Sequence, residues 1–187
     1  MKYILDNSVL SAFAKIRRLD LLKRIFDNKV VLIPKEVYNE GVVKAKIRGH
    51  KIGDELINII ASNERELNDK WILVKEVKGD MRGYISDKKI DLGEAEVIEL
   101  AKEENAVAVI DEEDGRKAAK EENIRITGTL GLLRAAYENC LIETKTELME
   151  LIQLLKESKF RVGDELVGWV QESRKINNTG DSHDISG

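Results

Sequence analysis

Short apolar runs alternate with amphipathic stretches along most of this chain. Residues 2–5, 30–33, 71–74, 106–110 and 124–127 are candidate strands, the middle three continuous apolar runs and the first apolar after Lys2. Such runs read as strands buried on both faces, the mark of a parallel sheet. The stretches between them carry helical periodicity, and the alternation predicts βαβ units with right-handed crossovers. Pro34 suits a first helical turn and opens a helix through Val37, Tyr38 and Gly41. A longer, more polar helix is expected over 53–67, and residues 78–90, which lack any period, read as an exposed loop. Asp91-Leu92-Gly93-Glu94 and Thr144-Lys145-Thr146-Glu147 have the form of capping boxes at helix starts. Leu148, Leu151, Ile152 and Leu155 follow the second box at helical spacing, and Asp164 opens a last helix bearing Leu166, Val167, Trp169 and Val170. There is no internal repeat and no interior domain boundary. Residues 1–174 are therefore expected as one domain and the polar residues 175–187 as a flexible tail.

Composition narrows the class. With 187 residues, 42% of them hydrophobic and 35% charged, the chain can bury a sizeable core and is not of the disordered type. No run approaches the ~18 apolar residues of a membrane span, and no cationic leader precedes an apolar stretch. A single cysteine, Cys140, excludes a disulfide framework, fits a reducing cytoplasm and reads as a buried structural thiol late in a helix. The net charge of −4 argues only weakly against nucleic acid, because acids gathered to hold a metal contribute charge that the metal offsets. His50 and His183 leave little material for histidine-based catalysis, and no Gly-x-x-x-x-Gly-Lys loop is present. Ser8 stands where a dehalogenase-like phosphatase needs its second aspartate, and Asn7 and Thr127 occupy positions at which a receiver domain needs an acid and a lysine.

Two of the strands end in an aspartate followed directly by a helix start, Asp6 and Asp111. Groups so placed lie on the carboxyl edge of a parallel sheet, where open α/β folds bind ligands. Buried carboxylates are costly alone, so two on one edge favour a shared divalent cation. Each residue singly also admits an N-cap reading. Counting 100° per residue from Glu94 puts Val97, Ile98 and Ala101 within about 60° of it, with Glu96, Glu99 and Glu103 opposite on a solvated face. Glu94 therefore points inward, either as the capping partner of Asp91 or as a third site acid, and the pattern leaves the two readings level. Glu40, with Lys44 four residues on, reads as half of a surface ion pair. In Asp111-Glu112-Glu113-Asp114 most of the acids form a solvated first turn, and Asp114 is the best candidate to face the cleft.

These residues also carry a resemblance. Asp6-Asn7-Ser8-Val9-Leu10 is similar to the Asp-x-Ser/Thr-x-Leu opening of PIN-domain nucleases. Pro34-x-x-Val37-x-x-Glu40, Leu92-Gly93-Glu94-Ala95-Glu96 and the stretch from Asp111 to Ala119 resemble the second, third and fourth motifs, with Ile126 to Leu133 following in order. The resemblance covers roughly residues 3–172 and extends to a VapC-like, poorly characterised prokaryotic branch. It implies a three-layer α/β/α fold with a central parallel sheet of about five strands, order 3-2-1-4-5, and additional C-terminal helices. In that order the first and fourth strands adjoin, which sets Asp6 beside Asp111. It further implies a Mg2+- or Mn2+-dependent endoribonuclease leaving a 5′-phosphate and a 3′-hydroxyl. Asp6, Glu94 and Asp111 would be metal ligands, Glu40 would orient water, Ser8 would support Asp6 or the metal shell, and Asp114 is an additional acid. The oxygen donor set suits such ions, and a bound ion lowers the pKa of its water.

Candidate RNA contacts are Arg116, Thr127 with the amides of Gly128 and Thr129, and the basic residues Lys44, Lys46, Arg48, His50 and Lys51. Lys15, Arg17 and Arg18 form a second basic cluster, and each of these groups alone also reads as an ordinary solvated face. Because small prokaryotic PIN proteins are frequently toxins of VapBC-type pairs, the resemblance implies an antitoxin partner as well as RNA. The extra C-terminal helices suggest a dimer, with Trp169 either in that contact or in the core. The rival readings are a non-catalytic PIN-like binding module and an RNA-processing nuclease outside any toxin–antitoxin pair.

Overall fold

The computed structural model describes residues 1–49, 51–67, 70–87 and 90–174. The chain runs β1 (Lys2–Leu5), α1 (Asn7–Lys15), α2 (Leu19–Ile25), β2 (Val30–Pro34) and α3 (Lys35–Tyr38). The helix continues from α3 as a π-helical turn over Asn39–Lys44 and then as α4 (Ala45–Ile47). Next come α5 (Lys51–Ile57), β3 (Ile60–Ala61), a 3-10 turn (Glu64–Glu66), β4 (Ile72–Lys75), α6 (Arg82–Asp87) and α7 (Leu92–Glu103). The chain then forms β5 (Val107–Val109), α8 (Glu113–Glu121), β6 (Arg125–Thr127), α9 (Thr129–Glu138), α10 (Lys145–Glu157) and α11 (Asp164–Gln171).

All six strands are parallel, in the order β3-β4-β2-β1-β5-β6, and helices flank the sheet in a three-layer α/β/α arrangement. Leaving out the two-residue edge strand β3, this is the expected five-strand order. β1 lies at the centre because Ile4 and Leu5 are wholly buried, as are Ala108 and Val109 beside them. The order of strands turns back at β1, and the switch point falls between β1 and β5, which pair Leu5 with Val109. The Asp6 amide extends this ladder by one bond, donating to the Val109 carbonyl at 3.1 Å.

Five local expectations are corrected. The polar helix expected over 53–67 stops at Ile57, and Ile60 and Ala61 form the edge strand instead. Both are buried against β4, so apolar contact outweighs helical propensity there. Residues 78–90 contain helix α6, and the acidic face of α7 holds them. Glu103 accepts the amides of Lys78 and Gly79 at 2.8 Å, and Tyr84 donates to Glu99 at 3.2 Å. Glu96 accepts the Glu36 amide at 2.9 Å and so closes the open start of α3. The face expected to be merely solvated is thus a docking edge. Cys140 is exposed, in a left-handed turn (φ 58°) just beyond α9, rather than buried in a helix. Trp169 is 43% exposed and stacked by Arg134, 4.3 Å from ring centroid to guanidinium carbon, so it is not a core aromatic. Residues 175–187, with His183, and His50 lie outside the described residues.

Candidate metal-binding active site

Four acids meet at the carboxyl edge of β1 and β5, and each is held differently. Asp6 caps α1: its Oδ2 accepts the Ser8 amide at 3.0 Å and a short hydrogen bond from the Ser8 hydroxyl. Asp111 takes two donors from the start of α9, the Thr129 amide at 2.8 Å and the Thr129 hydroxyl at 2.6 Å. For Asp6 the cap reading is met. Asp111 caps nothing in its own helix, and its partner comes from the neighbouring strand's connection.

The two oxygens of Glu94 are placed differently, and one of them meets the capping reading. The capping box is formed: the Glu94 amide donates to Asp91 at 2.8 Å, and Glu94 Oε2 accepts the Asp91 amide at 3.4 Å. The other oxygen, Oε1, is buried and has no hydrogen-bond partner among the described residues. A buried carboxylate oxygen with an unmet lone pair is costly, so it marks a place built for a donor or a cation. The approach is possible because residue 115 is glycine, where a Cβ would stand 2.7 Å from Glu94 Oε1. Gly128 plays the same part for Asp111, with a would-be Cβ 2.7 Å from Oδ1.

Glu40 lies in the π-helical turn, whose i→i+5 spacing invalidates a 100° helical count. The expected surface pair is present, Lys44 to Glu40 at 3.4 Å, but Lys44 lies closer to Glu36, at 2.8 Å. Glu40 Oε2 meanwhile reaches the start of α7, within 3.5 Å of where a Gly93 Cβ would be.

Burial and mutual repulsion raise the proton affinity of the whole cluster. Desolvation is the largest cause in each case. It lifts Asp6 above its usual range against the opposing Ser8 hydrogen bonds, and it lifts Glu40 against Lys44. Glu94 is pushed up to about 7 by burial and then by the charges of Asp91 and Asp6. Asp111 is pushed up to about 6 by burial, with Asp6 adding to the rise and Thr129 and Arg116 opposing it. Asp91, predicted only as a cap, is therefore also part of the field: its charge raises Asp6, Glu40 and Glu94 alike.

The other candidates are placed as follows. Arg116 is half-buried and donates to the Ile110 carbonyl at 2.8 Å and the Thr127 carbonyl at 3.1 Å, tying the ends of β5 and β6 together beneath Asp111. The Thr129 amide, expected as a phosphate donor, is committed to Asp111. Asp114 is exposed on the first turn of α8. Lys44 is paired with Glu36 and Glu40, Lys46 reaches Asp54 at 3.9 Å, and Arg48 is exposed. Sequence reasoning missed the Thr129 hydroxyl and the clearance at Gly115 and Gly128. The expected adjacency of the fourth and fifth strands carried a signal for Thr129, because it put the residues after β6 beside Asp111.

Among the described residues no group of three acids stands close enough to grip an ion as the side chains are placed. The chemistry of the donors nevertheless fits a divalent cation. They are hard carboxylate oxygens, one of them buried and unpartnered, on residues whose charges repel one another.

A six-stranded parallel sheet with acids gathered at its switch point defines a class of α/β protein whose site lies at the strand ends. A family model described as a PIN domain, DUF3368, matches residues 2–174, and the chain belongs to that family, which has a nuclease fold. No curated protein and no solved structure matches the chain.

Proposed function

We propose that this chain is a divalent-metal-dependent endoribonuclease that hydrolyses RNA phosphodiester bonds. The observation that carries the reading is the buried, unpartnered Oε1 of Glu94, facing a neighbourhood in which Asp6 and Asp91 also repel it. Asp6, Glu94 and Asp111 would hold Mg2+ or Mn2+, and bound there the ion supplies positive charge against the phosphate and a lowered water pKa. The residues of the chain do the rest. Ser8 and Thr129 fix the rotamers of Asp6 and Asp111, so that their free lone pairs are aimed before substrate arrives. Glu40, at the rim and with its carboxyl raised, accepts a hydrogen bond from the attacking water and orients it. Arg116 locks the two strand ends and leaves the phosphate to other cations.

The test is cleavage of a single-stranded RNA by the purified chain with Mn2+, with EDTA, and with Asp6→Asn. Metal-dependent cleavage lost in the variant supports the nuclease. Wild type and variant equally inert, while both still bind RNA, would establish the rival reading of a binding module. The toxin setting, with an antitoxin as partner, rests on the family resemblance. Growth arrest on induction, relieved by Asp6→Asn, supports it, whereas unimpaired growth favours an RNA-processing nuclease.

A further inference from the structure

The helical arm that carries Glu40 leaves regular α geometry where Glu40 sits. Helix α3 runs directly into the π-helical turn Asn39–Lys44 and on into α4. In a continuous α-helix Val37 and Gly41 would share a face, while Val42 would lie about 140° from Val37. Yet both valines are buried, Val37 wholly and Val42 to within 2%. The i→i+5 spacing of the π turn is what brings them to one side. Such turns are rare, so the neighbours that hold this one carry information.

The arm is held at its start, its end and its middle. At the start Glu96 of α7 accepts the Glu36 amide at 2.9 Å. At the far end α5 presses on the backbone. A Cβ on Gly53 would stand 3.0 Å from the Lys46 nitrogen and 3.1 Å from the Val42 carbonyl oxygen. In the middle, beside Glu40, the neighbour is Asn7. A Cβ on Gly41 would stand 2.8 Å from Asn7 Oδ1 and 3.5 Å from Leu56 Cδ1. Gly41 has no positive φ, so glycine serves clearance here and not conformation.

Asn7 is itself fixed. It opens α1, and the Ser11 hydroxyl one turn on donates to its Oδ1 at 3.4 Å. Its own backbone amide is among the donors to Asp6. One residue thus touches both halves of the acid cluster, Asp6 through its main chain and the turn bearing Glu40 through its side chain.

We infer that Asn7 is a positioning residue for Glu40: its carboxamide, seated against Gly41, sets the π-helical turn and with it the place of the Glu40 carboxylate. The inference rests on the nuclease reading above, in which Glu40 orients the attacking water. Asn7 acts only through Glu40. The carboxylate needs this seat because it stands half-exposed between two alternatives. Lys44 draws it outward at 3.4 Å, and its Oε2 reaches inward to the start of α7. Collapse of the turn to α geometry would rotate one side of the arm against the other by about 100°, and Glu40 would lose its place.

The experiment compares single and double variants of the full chain by two readouts. One is cleavage of single-stranded RNA with Mn2+, and the other is backbone hydrogen exchange of the metal-free protein. Asn7→Ala lowers kcat about tenfold or more and leaves KM and Mn2+ affinity within about twofold, as a misplaced catalytic group does. In a Glu40→Gln background the same change costs less than about twofold, because the two residues act as one unit. A merely structural role would cost the same in both backgrounds. Gly41→Ala, whose Cβ displaces the Asn7 carboxamide, also lowers kcat, and Asn7→Ala/Gly41→Ala is no slower than Asn7→Ala. Exchange of the amides at 41–45 quickens about tenfold or more in Asn7→Ala, while β1 and β5 exchange as in wild type. The inference is overturned if Asn7→Ala cleaves as wild type does, or slows the Glu40→Gln protein as much as it slows wild type. Unchanged exchange at 41–45 overturns it as well. If wild type cuts no RNA, the nuclease reading fails alone, and the exchange rates still decide whether Asn7 holds the turn.

Discussion

The strand-borne acids and the helix-borne acids of this site are built on opposite principles. Asp6 and Asp111 leave the ends of adjacent parallel strands, and each is gripped by a hydroxyl and an amide, from Ser8 and from Thr129. Glu94 and Glu40 come in on helices. Glu94 has one oxygen in a capping box and one with no partner, and Glu40 stands half-exposed in a π-helical turn. The first pair is oriented by donors, so its geometry exists before any ligand binds. The second is oriented by backbone and packing, which leaves lone pairs unmet. The acid cluster thus combines a fixed floor with an unsatisfied wall.

The sharpest way to break this comparison is at the floor. On the proposed nuclease reading, Asp111→Asn should abolish metal-dependent cleavage, by about a thousandfold or more, since it would remove one of the charges proposed to hold the ion, worth several kcal/mol of transition-state stabilisation. The same change should raise Tm of the metal-free protein at pH 7.5, because a buried charge is no longer required; a Tm that falls instead would show that Asp111 is mainly structural. The wall is tested by Gly115→Ala. Its Cβ would lie 2.7 Å from Glu94 Oε1 and 3.1 Å from Ile110 Cγ2. Overpacking of this kind costs about 1–3 kcal/mol, and cleavage should fall as Glu94 is pushed aside. Unchanged activity would mean that the Glu94 position is not critical.

Smaller effects should come from the donors themselves. Thr129→Val keeps the shape but deletes the hydroxyl bond to Asp111, and roughly 10–100-fold lower activity or metal affinity is expected. A Thr129→Val protein with normal metal affinity would show that the Thr129 amide suffices. The smallest effect concerns pH. Glu94, at about 7, and Asp111, at about 6, hold protons more tightly folded than at their ordinary values of 4.5 and 3.8. Between those limits the folded state carries the extra protons. Their contribution to stability is therefore complete below pH ~4 and is lost as pH rises through 6 and 7. Metal-free wild type should lose Tm from pH 5 to 7.5 relative to Glu94→Gln, and Mn2+ should restore it at the higher pH. Parallel pH profiles for the two proteins would contradict the raised Glu94 carboxyl.

The legible and illegible parts of this chain divide along the same physical line. The central strands were readable because burial on both faces demands apolar residues, and Ile4, Leu5, Ala108 and Val109 are wholly buried as that demands. Edge strand β3 was not, since two residues carry too little periodicity to outweigh a polar helical context. The inward phase of Glu94 was visible in an α-helix, whereas that of Glu40 was hidden by the π-helical turn and emerged only through motif resemblance.

By itself, then, the sequence determined the five longer strands and the places of Asp6 and Asp111 at their ends, because those depend on local burial and on position after a strand, while the strand order and the place of Glu40 came through the resemblance. Only the tertiary structure decided how each acid is held. It moved the Thr129 amide from phosphate to Asp111, set Arg116 as a strand tie and brought Gly115 under Glu94. It also gathered cations from α1, α8 and the α10–α11 connection into one groove. Apart from the Arg116 tie, these partners lie 18 to more than 100 residues apart along the chain, and no local pattern encodes a contact that only the crossover connections create.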